Sequence, residues 1–393
     1  MSKISKFEMP NHIIYGPDAL DEIGERAANY GKKALVVSDR MIEKMGYVKR
    51  VVDLLKAVDI ESAMYLDTNT EPTDIFVDEA LAVYREIEAD VIVAIGGGSS
   101  IDTAKAVAVV ATNGGYIGDY MGGKKIATET PIPLIAIPTT AGTGSEATDV
   151  TVITNTKEDI KMMIKQYAFI PKVAIVDPLL TMTAPKHVTA ATGLDALCHA
   201  IESYISKLAQ PMTQVFSKSA IESILNNIEQ VFHHGDDVAA REKLSIAALE
   251  AGAAFSNASV TLVHGMSRPI GAMFNVPHGV SNAMLLPAVL EFTREAAMDD
   301  LAELALLFLP DMEGKTKEER TDSLIAKVKQ LTLDLEIPNM KTWGIKRDEF
   351  DKFVDKMATD AIASGSPGNN PRVPSHAEIV ELYKVCYDYD FSK

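Results

Sequence analysis

The chain has only two cysteines in 393 residues, Cys198 and Cys386, far apart in sequence. Neither a disulfide framework nor a paired-cysteine zinc pattern can be built from them. The scarcity fits a reducing, cytoplasmic setting. Positive charge is also short: 38 lysines and arginines face 55 acids, a formal net charge of −17. A phosphate-binding surface needs the opposite sign, so general nucleic-acid and anionic-membrane binding are excluded. No apolar run approaches the length of a membrane span. The opening residues MSKISKFEMPNHIIYG lack the apolar core of a signal peptide. There is no internal repeat and no low-complexity tract. What remains is a globular composition, 47% hydrophobic and 24% charged, on a chain long enough to expect two domains.

The first 180 or so residues alternate short β-branched runs with amphipathic stretches. Strands are expected at Ala34–Val37, Val91–Ile95, Leu134–Ile137 and Ala174–Val176, with helices over Tyr47–Val58 and Ile75–Glu88 between them. Continuous apolar strands separated by helices imply a parallel sheet covered on both faces. Residues Val150–Thr154 read as a further strand or hairpin in an insertion. After Val176-Asp177-Pro178 the strand signals fade. Apolar residues then recur at three- and four-residue spacing over Ala190–Ser206, Thr213–Val231, Val238–Asn257 and Glu291–Phe308. The pattern predicts an α/β domain over residues 1–185 and an all-helical domain over 186–393, with ASGSPGNNPRVP (363–374) as a loop.

Two glycine-rich turns follow strong strands. Gly96-Gly97-Gly98-Ser99-Ser100-Ile101-Asp102 opens a helix, whose first N–H groups and dipole suit a pyrophosphate. It is not the GxGxxG fingerprint, and a plain strand-to-helix turn with Ser99 or Ser100 as cap reads equally well. The second turn, Pro138-Thr139-Thr140-Ala141-Gly142-Thr143-Gly144, also sits after a strand. Two such loops at the carboxyl ends of parallel strands converge on one crevice, which favours a nucleotide. Asp39, directly after the first strong strand, suits a ribose hydroxyl. It reads equally as a loop acid or helix cap.

Few histidines are present, eight in all. His199 lies four residues after Asp195 in DALCHAIE, one helical turn away on the same face. His264 and His278 each precede a glycine, in VHGM and PHG. One carboxylate and three imidazoles suit a borderline divalent metal such as Fe(II) or Zn(II). By spacing alone, Asp195 and His199 could instead be a simple i,i+4 contact. His233 and His234 belong to an HHGDD turn. His12, His187 and His376 have no partner pattern.

Four stretches carry a resemblance that runs nearly end to end. They are GGGSSIDTAK (96–105), PTTAGTGSEAT (138–148), GLDALCHAIESY (193–204), and LVHGM, PIGA and VPHGVSNAMLLP within 262–287. In that order they resemble the iron-dependent, group III alcohol dehydrogenases. The resemblance implies a dinucleotide-binding α/β domain and an all-helical metal domain, an architecture shared with dehydroquinate synthases. It implies Asp195, His199, His264 and His278 as metal ligands, with Fe2+ as the usual ion and Zn2+ or Mn2+ in relatives. Gly97, Gly98, Ser99 and Asp102 on the first loop, and Thr139, Thr140 and Thr143 on the second, would bind NAD(H). Lys161 would reach the cofactor ribose, and Asp39 would favour NAD over NADP.

The implied reaction interconverts a short-chain primary alcohol and its aldehyde, in a cytoplasmic homodimer or higher oligomer. Glycerol dehydrogenase-like or dehydroquinate synthase-like chemistry is a second possibility, and a nucleotide-binding module without turnover a third. One residue departs from the pattern. Many relatives carry a histidine four positions after the first VHG histidine, where this chain has Arg268. Arginine does not titrate near neutral pH, so a proton relay there is disfavoured. It would serve either as a structural contact or as a binder of an anionic head group, such as that of sulfoacetaldehyde or a semialdehyde.

Overall fold

The computed structural model describes residues 4–158 and 160–393. Two compact units divide these residues, one spanning Glu8–Ala184 and the other Pro185–Lys393 together with the segment preceding Glu8. That segment differs from the expected division, which began the first domain at residue 1. The reason is local packing: Phe7 stacks on Phe216 at 5.2 Å, and the Gln210 side chain donates to the Lys6 carbonyl at 2.7 Å.

The α/β unit is built on six parallel strands. In chain order these are β1 (His12–Tyr15), β2 (Lys33–Val37), β3 (Glu61–Tyr65), β4 (Val91–Gly96), β5 (Leu134–Pro138) and β8 (Val173–Val176). Strands β6 (Val150–Asn155) and β7 (Ile160–Lys165) form a separate antiparallel hairpin. The sheet order is β1-β8-β5-β4-β2-β3, and every pairing in it is parallel. Alternate side chains explain the unbroken apolar runs. Leu35, Val37, Ile92, Ala94 and Ala136 pack on one face with Val77, Ile101 and Val107 of the Asp74–Ile87 and Gly98–Asn113 helices. Val36, Val91, Val93, Ile135 and Ile175 pack on the other with Ile23, Val51 and Leu55. A central strand buried on both faces has no polar position to spare. Each fully buried valine, leucine or isoleucine among them contributes about 1.5–3 kcal/mol relative to exposure.

The expected strands all lie within observed ones. The pattern missed β1 and β3, which are the two sheet edges, where HIIY and ESAMY are partly exposed and lack an apolar run. In the second unit the DALCHAIE helix runs Lys186–Ile205 and packs with the Pro211–His233 and Val238–Asn257 helices. The helices Leu262–Phe274 and His278–Thr293 carry His264 and His278. Each holds an interior proline, Pro269 and Pro287, which obscures the sequence signal. The continuous helix expected over Glu291–Phe308 is split, ending at Thr293 and resuming at Met298–Ala305. Tertiary contacts outweigh helix propensity there: Asn370 donates to the buried Thr293 hydroxyl at 3.0 Å, and Arg294 reaches Asp322 at 2.6 Å. Among the described residues no single helix is long and apolar enough to cross a membrane.

Lys105 is a fully buried charge in the α/β unit. Its ammonium donates to Thr148 Oγ1 at 2.8 Å and to the Val150 carbonyl at 2.7 Å, tying the Gly98–Asn113 helix to the hairpin. Burial pushes its pKa down to about 8, against the pull of Asp102, Asp149 and Glu146. Replacing Lys105 with methionine removes the cation among these acids and is expected to lower unfolding free energy by roughly 3 kcal/mol at neutral pH. The folded pKa lies below the ordinary 10.5. The unfolded chain therefore binds more protons between those values, and the contribution of Lys105 to stability rises with pH across that window. Urea unfolding of wild type and K105M from pH 7 to 10.5 is expected to show a difference that widens as pH rises.

Candidate functional site

In the α/β unit the chain moves from β2 outward to β3, then returns to place β4 on the other side of β2. The carboxyl ends of β2 and β4 thus flank a topological switch point, where open α/β sheets form a crevice. An open hollow of about 480 Å³ lies there, lined by Asp39, Met41, Lys44, Thr68, Gly97 and Ser99 among others. Gly96 ends β4 with φ +154°, and a Cβ would stand 2.6 Å from Ser100 Oγ. Only glycine fits that turn. Gly97 then caps the 16-residue Gly98–Asn113 helix without any side-chain hydrogen bond, and the first turn holds no acid. These are the features of an anion-binding helix terminus.

The two loops meet. The Thr139 N–H donates to the Gly96 carbonyl at 3.0 Å, Thr140 faces Gly97, and the Thr143 methyl packs on Gly98. Asp39 lines the hollow and is also a helix cap, its Oδ1 accepting from Met41 and Ile42 N–H at 2.8 and 2.9 Å. Asp102 faces inward as a brace. Its carboxylate oxygens accept from Ser145 Oγ at 2.5 Å and from the Val152 N–H at 2.8 Å. Lys161 sits on β7, paired with Glu71 at 3.2 Å, outside the lining of the hollow. Thr68, bonded to the Ser38 carbonyl and to Ser100 Oγ at 2.8 Å each, lines the hollow with no motif to announce it.

In the helical unit, Asp195, His199, His264 and His278 come together, one ligand-capable atom from each lying within 4.8 Å of every other. Asp195, His199 and His264 are buried, while the His278 side chain is 37% exposed and marks the accessible side. Phe255 stacks on His199 at 4.3 Å, and His199 stacks on His264 at 4.4 Å, which holds the rings in place. Gly279 permits the approach of the His278 helix: a Cβ there would stand 2.6 Å from the Ala191 carbonyl oxygen. Burial pushes the Asp195 carboxyl up. The charges of His199, His278 and His264 outweigh it and hold the group below the usual carboxylate range.

The donor set fits a cation. Asn282, one turn after His278, points its amide nitrogen at Asp195 Oδ1 (2.6 Å), His264 Nε2 (3.1 Å) and His278 Nε2 (3.1 Å). Three acceptors converge on a nitrogen with two hydrogens, while the amide oxygen is buried without a hydrogen-bond partner. Asp195 Oδ1 and two ring nitrogens thus crowd one amide nitrogen that has only two hydrogens to give. Two polar contributors escaped the sequence reading. Asn282 follows His278 at i+4, and Glu202 follows Asp195 and His199 at i+7 and i+3, so helical spacing alone could have marked both. Arg268 lies one turn after His264 and donates to Ser366 Oγ at 3.1 Å. Burial pushes its guanidinium pKa down while the charge of Glu202 pushes it back.

A family profile described as iron-containing alcohol dehydrogenase matches residues 10–178. The C-terminal profile of the Fe-containing alcohol dehydrogenase family matches residues 189–387. The chain belongs to the iron-containing alcohol dehydrogenase family. It is accordingly an oxidoreductase of the alcohol dehydrogenase type. It is 37% identical over 383 residues to the 1,3-propanediol dehydrogenase of Klebsiella pneumoniae, across 96% of this chain and 98% of that protein. The crystal structure of a 1,3-propanediol oxidoreductase superposes with a TM-score of 0.94 at 36% identity, over 98% of this chain and all of that one. A sulfoacetaldehyde reductase from Bifidobacterium kashiwanohense, solved in complex with NAD+, gives 0.87 at 27% identity over 99% of this chain and 100% of that one.

The contact at Gly279 yields a test within this dehydrogenase. Gly279→Ala is expected to push the His278 helix off the Ala191 carbonyl and spread the four side chains. Zn2+ affinity, read by competition with a chromophoric chelator, is expected to fall roughly tenfold or more, with far-UV circular dichroism unchanged.

Proposed function

We propose that the chain is a divalent-metal-dependent NAD(H) oxidoreductase that interconverts a short-chain primary alcohol and its aldehyde, with Fe2+ as the preferred ion and Zn2+ or Mn2+ as substitutes. The observation that carries this reading is the convergence of Asp195, His199, His264 and His278 on one pocket with an accessible side at His278. When bound, the cation supplies Lewis acidity toward the substrate oxygen and the nicotinamide carries the hydride. The protein's part is positional. Asp195 brings the anionic charge that offsets the cation, and the stacked rings of Phe255, His199 and His264 fix ligand directions. The bare N-terminus of the Gly98–Asn113 helix would hold the pyrophosphate. Gly97, Gly98, Ser99, Thr139, Thr140 and Thr143 would line the cofactor path, Asp102 would brace it, and Lys161 would reach the ribose. Asp39 at the lip of the hollow would accept the adenosine ribose and repel a 2′-phosphate, favouring NAD. Two buried free cysteines support a cytoplasmic setting, and the family likeness supports a homodimer or higher oligomer.

A second reading makes the substrate an anionic aldehyde, such as sulfoacetaldehyde or a semialdehyde. Arg268 favours it, one turn from His264 with a guanidinium suited to carboxylate or sulfonate, as does the likeness to a sulfoacetaldehyde reductase. Glycerol dehydrogenase-like activity would appear as glycerol-dependent NAD+ reduction. A dehydroquinate synthase-like reaction would leave NADH unchanged overall.

NADH oxidation by anaerobically prepared, Fe2+-loaded protein separates these readings. Turnover of neutral short-chain aldehydes that disappears on chelation and returns with Fe2+ is expected. Loss of turnover in Asp195→Asn, with NAD+ binding retained, is expected as well. No metal-dependent turnover on any aldehyde would sink the proposal. Arg268→His is expected to lower kcat/KM on anionic aldehydes at least tenfold more than on neutral ones if the guanidinium binds the head group. Equal losses would assign Arg268 to holding Ser366.

A further inference from the structure

Glu202 is 1% exposed, and its two oxygens serve two different elements. Oε1 accepts from Thr261 Oγ1 at 2.9 Å, from the Val263 N–H at 2.6 Å and from the His264 N–H at 3.4 Å. These groups begin the Leu262–Phe274 helix, whose own N-cap residue, Thr261, makes no side-chain cap bond. The cap is thus supplied from the Lys186–Ile205 helix, by a residue on the same face as Asp195 and His199. Oε2 meets His264 Nδ1.

Hydrogen-bond direction follows from the chemistry. A carboxylate offers only acceptors, so Nδ1 must donate, and in the neutral ring Nε2 then carries the lone pair. A second contact at the opposite nitrogen agrees with that assignment. The Asn282 amide nitrogen is fixed by its 2.6 Å bond to Asp195 Oδ1, and that same NH2 group lies 3.1 Å from His264 Nε2. With one hydrogen on Asp195, the other is left for His264 Nε2 or for His278 Nε2 at the same distance, and where it serves His264 that nitrogen accepts.

We propose that Glu202 is a positioning residue. By holding the hydrogen of His264 on Nδ1, it presents the Nε2 lone pair to the cation, and by capping the helix start it sets the depth at which His264 enters the pocket. The inference rests on the reading of Asp195, His199, His264 and His278 as cation ligands. One side chain thereby joins the two helices that carry three of the four ligands, and ties the helix cap to the ligand's tautomer.

The test is Glu202→Gln, which keeps shape and length. With its amide oxygen left on Val263 and Thr261, its NH2 donates to Nδ1 and forces the hydrogen onto Nε2. With the amide turned over, the cap is lost. Zn2+ affinity by chelator competition is expected to fall roughly 10- to 100-fold, with a far smaller change in the thermal midpoint of the metal-free protein. Glu202→Asp, still a carboxylate, is expected to recover part of the affinity. A purely structural cap would lower the midpoint and leave Zn2+ affinity alone, which overturns the proposal.

Nitrogen-15 histidine spectra of metal-free wild type at pH 9, with His264→Gln for assignment, address the tautomer without the Glu202 variant. A lone-pair signal at Nε2 with the hydrogen on Nδ1 is expected, and a ring with its only hydrogen on Nε2 overturns the proposal. If wild type binds Zn2+ no better than Asp195→Asn, the metal reading fails and takes this inference with it. If wild type binds but Glu202→Gln binds equally, only the inference fails.

Discussion

A carboxylate and three imidazoles brought together in an apolar helical unit create an excess of lone pairs that burial makes costly. Unsatisfied polar groups of this kind cost on the order of 1–3 kcal/mol each, and more when charged. The surroundings of the pocket read as responses to that constraint. Asn282 directs its one available donor group at three of the four acceptors and leaves its own oxygen unpartnered. Glu202 takes the far nitrogen of His264. Phe255 covers the face of His199. A divalent cation would take up those lone pairs, which is the physical content of the metal reading.

The α/β unit answers a different demand with similar economy. Phosphate binding requires free N–H groups, close backbone approach and no competing acid. The Gly98–Asn113 helix meets all three, with a glycine cap, a turn that only glycine can make at Gly96, and no carboxylate in its first turn. The ionisable groups nearby are turned into scaffolding. Asp102 and Lys105 lie one turn apart on that helix, and both bond to the second loop and the hairpin.

The parallel sheet was legible because its central strands are buried on both faces and admit no polar residue. β1 and β3 were not, because edge strands face solvent on one side and their sequences look like loops. Helices at Lys186–Ile205 and Val238–Asn257 showed regular apolar spacing, whereas those bearing His264 and His278 hid behind Pro269 and Pro287. The break after Thr293 left no composition signal, and the residues that bond there, Asn370 and Asp322, are distant in sequence. Asp195, His199, His264 and His278 stood out as side chains with metal chemistry in apolar settings. Glu202 and Asn282 did not, because a carboxylate or amide on a helix is ordinary until its partners are known.

The sequence by itself determined the α/β-then-helical order, the family, and the residue types able to hold a dinucleotide and a divalent ion. These are local properties: apolar periodicity, glycine where backbone must turn or approach, and ligand chemistry written in short motifs. Tertiary structure alone decided which oxygen or nitrogen of each side chain faces which neighbour. It turned Asp102 into a brace, made Asp39 both cap and lip, set Arg268 on Ser366, and gave Glu202 two helices to hold. Those assignments depend on distances between segments up to about a hundred residues apart, and hydrogen-bond direction has no one-dimensional signature.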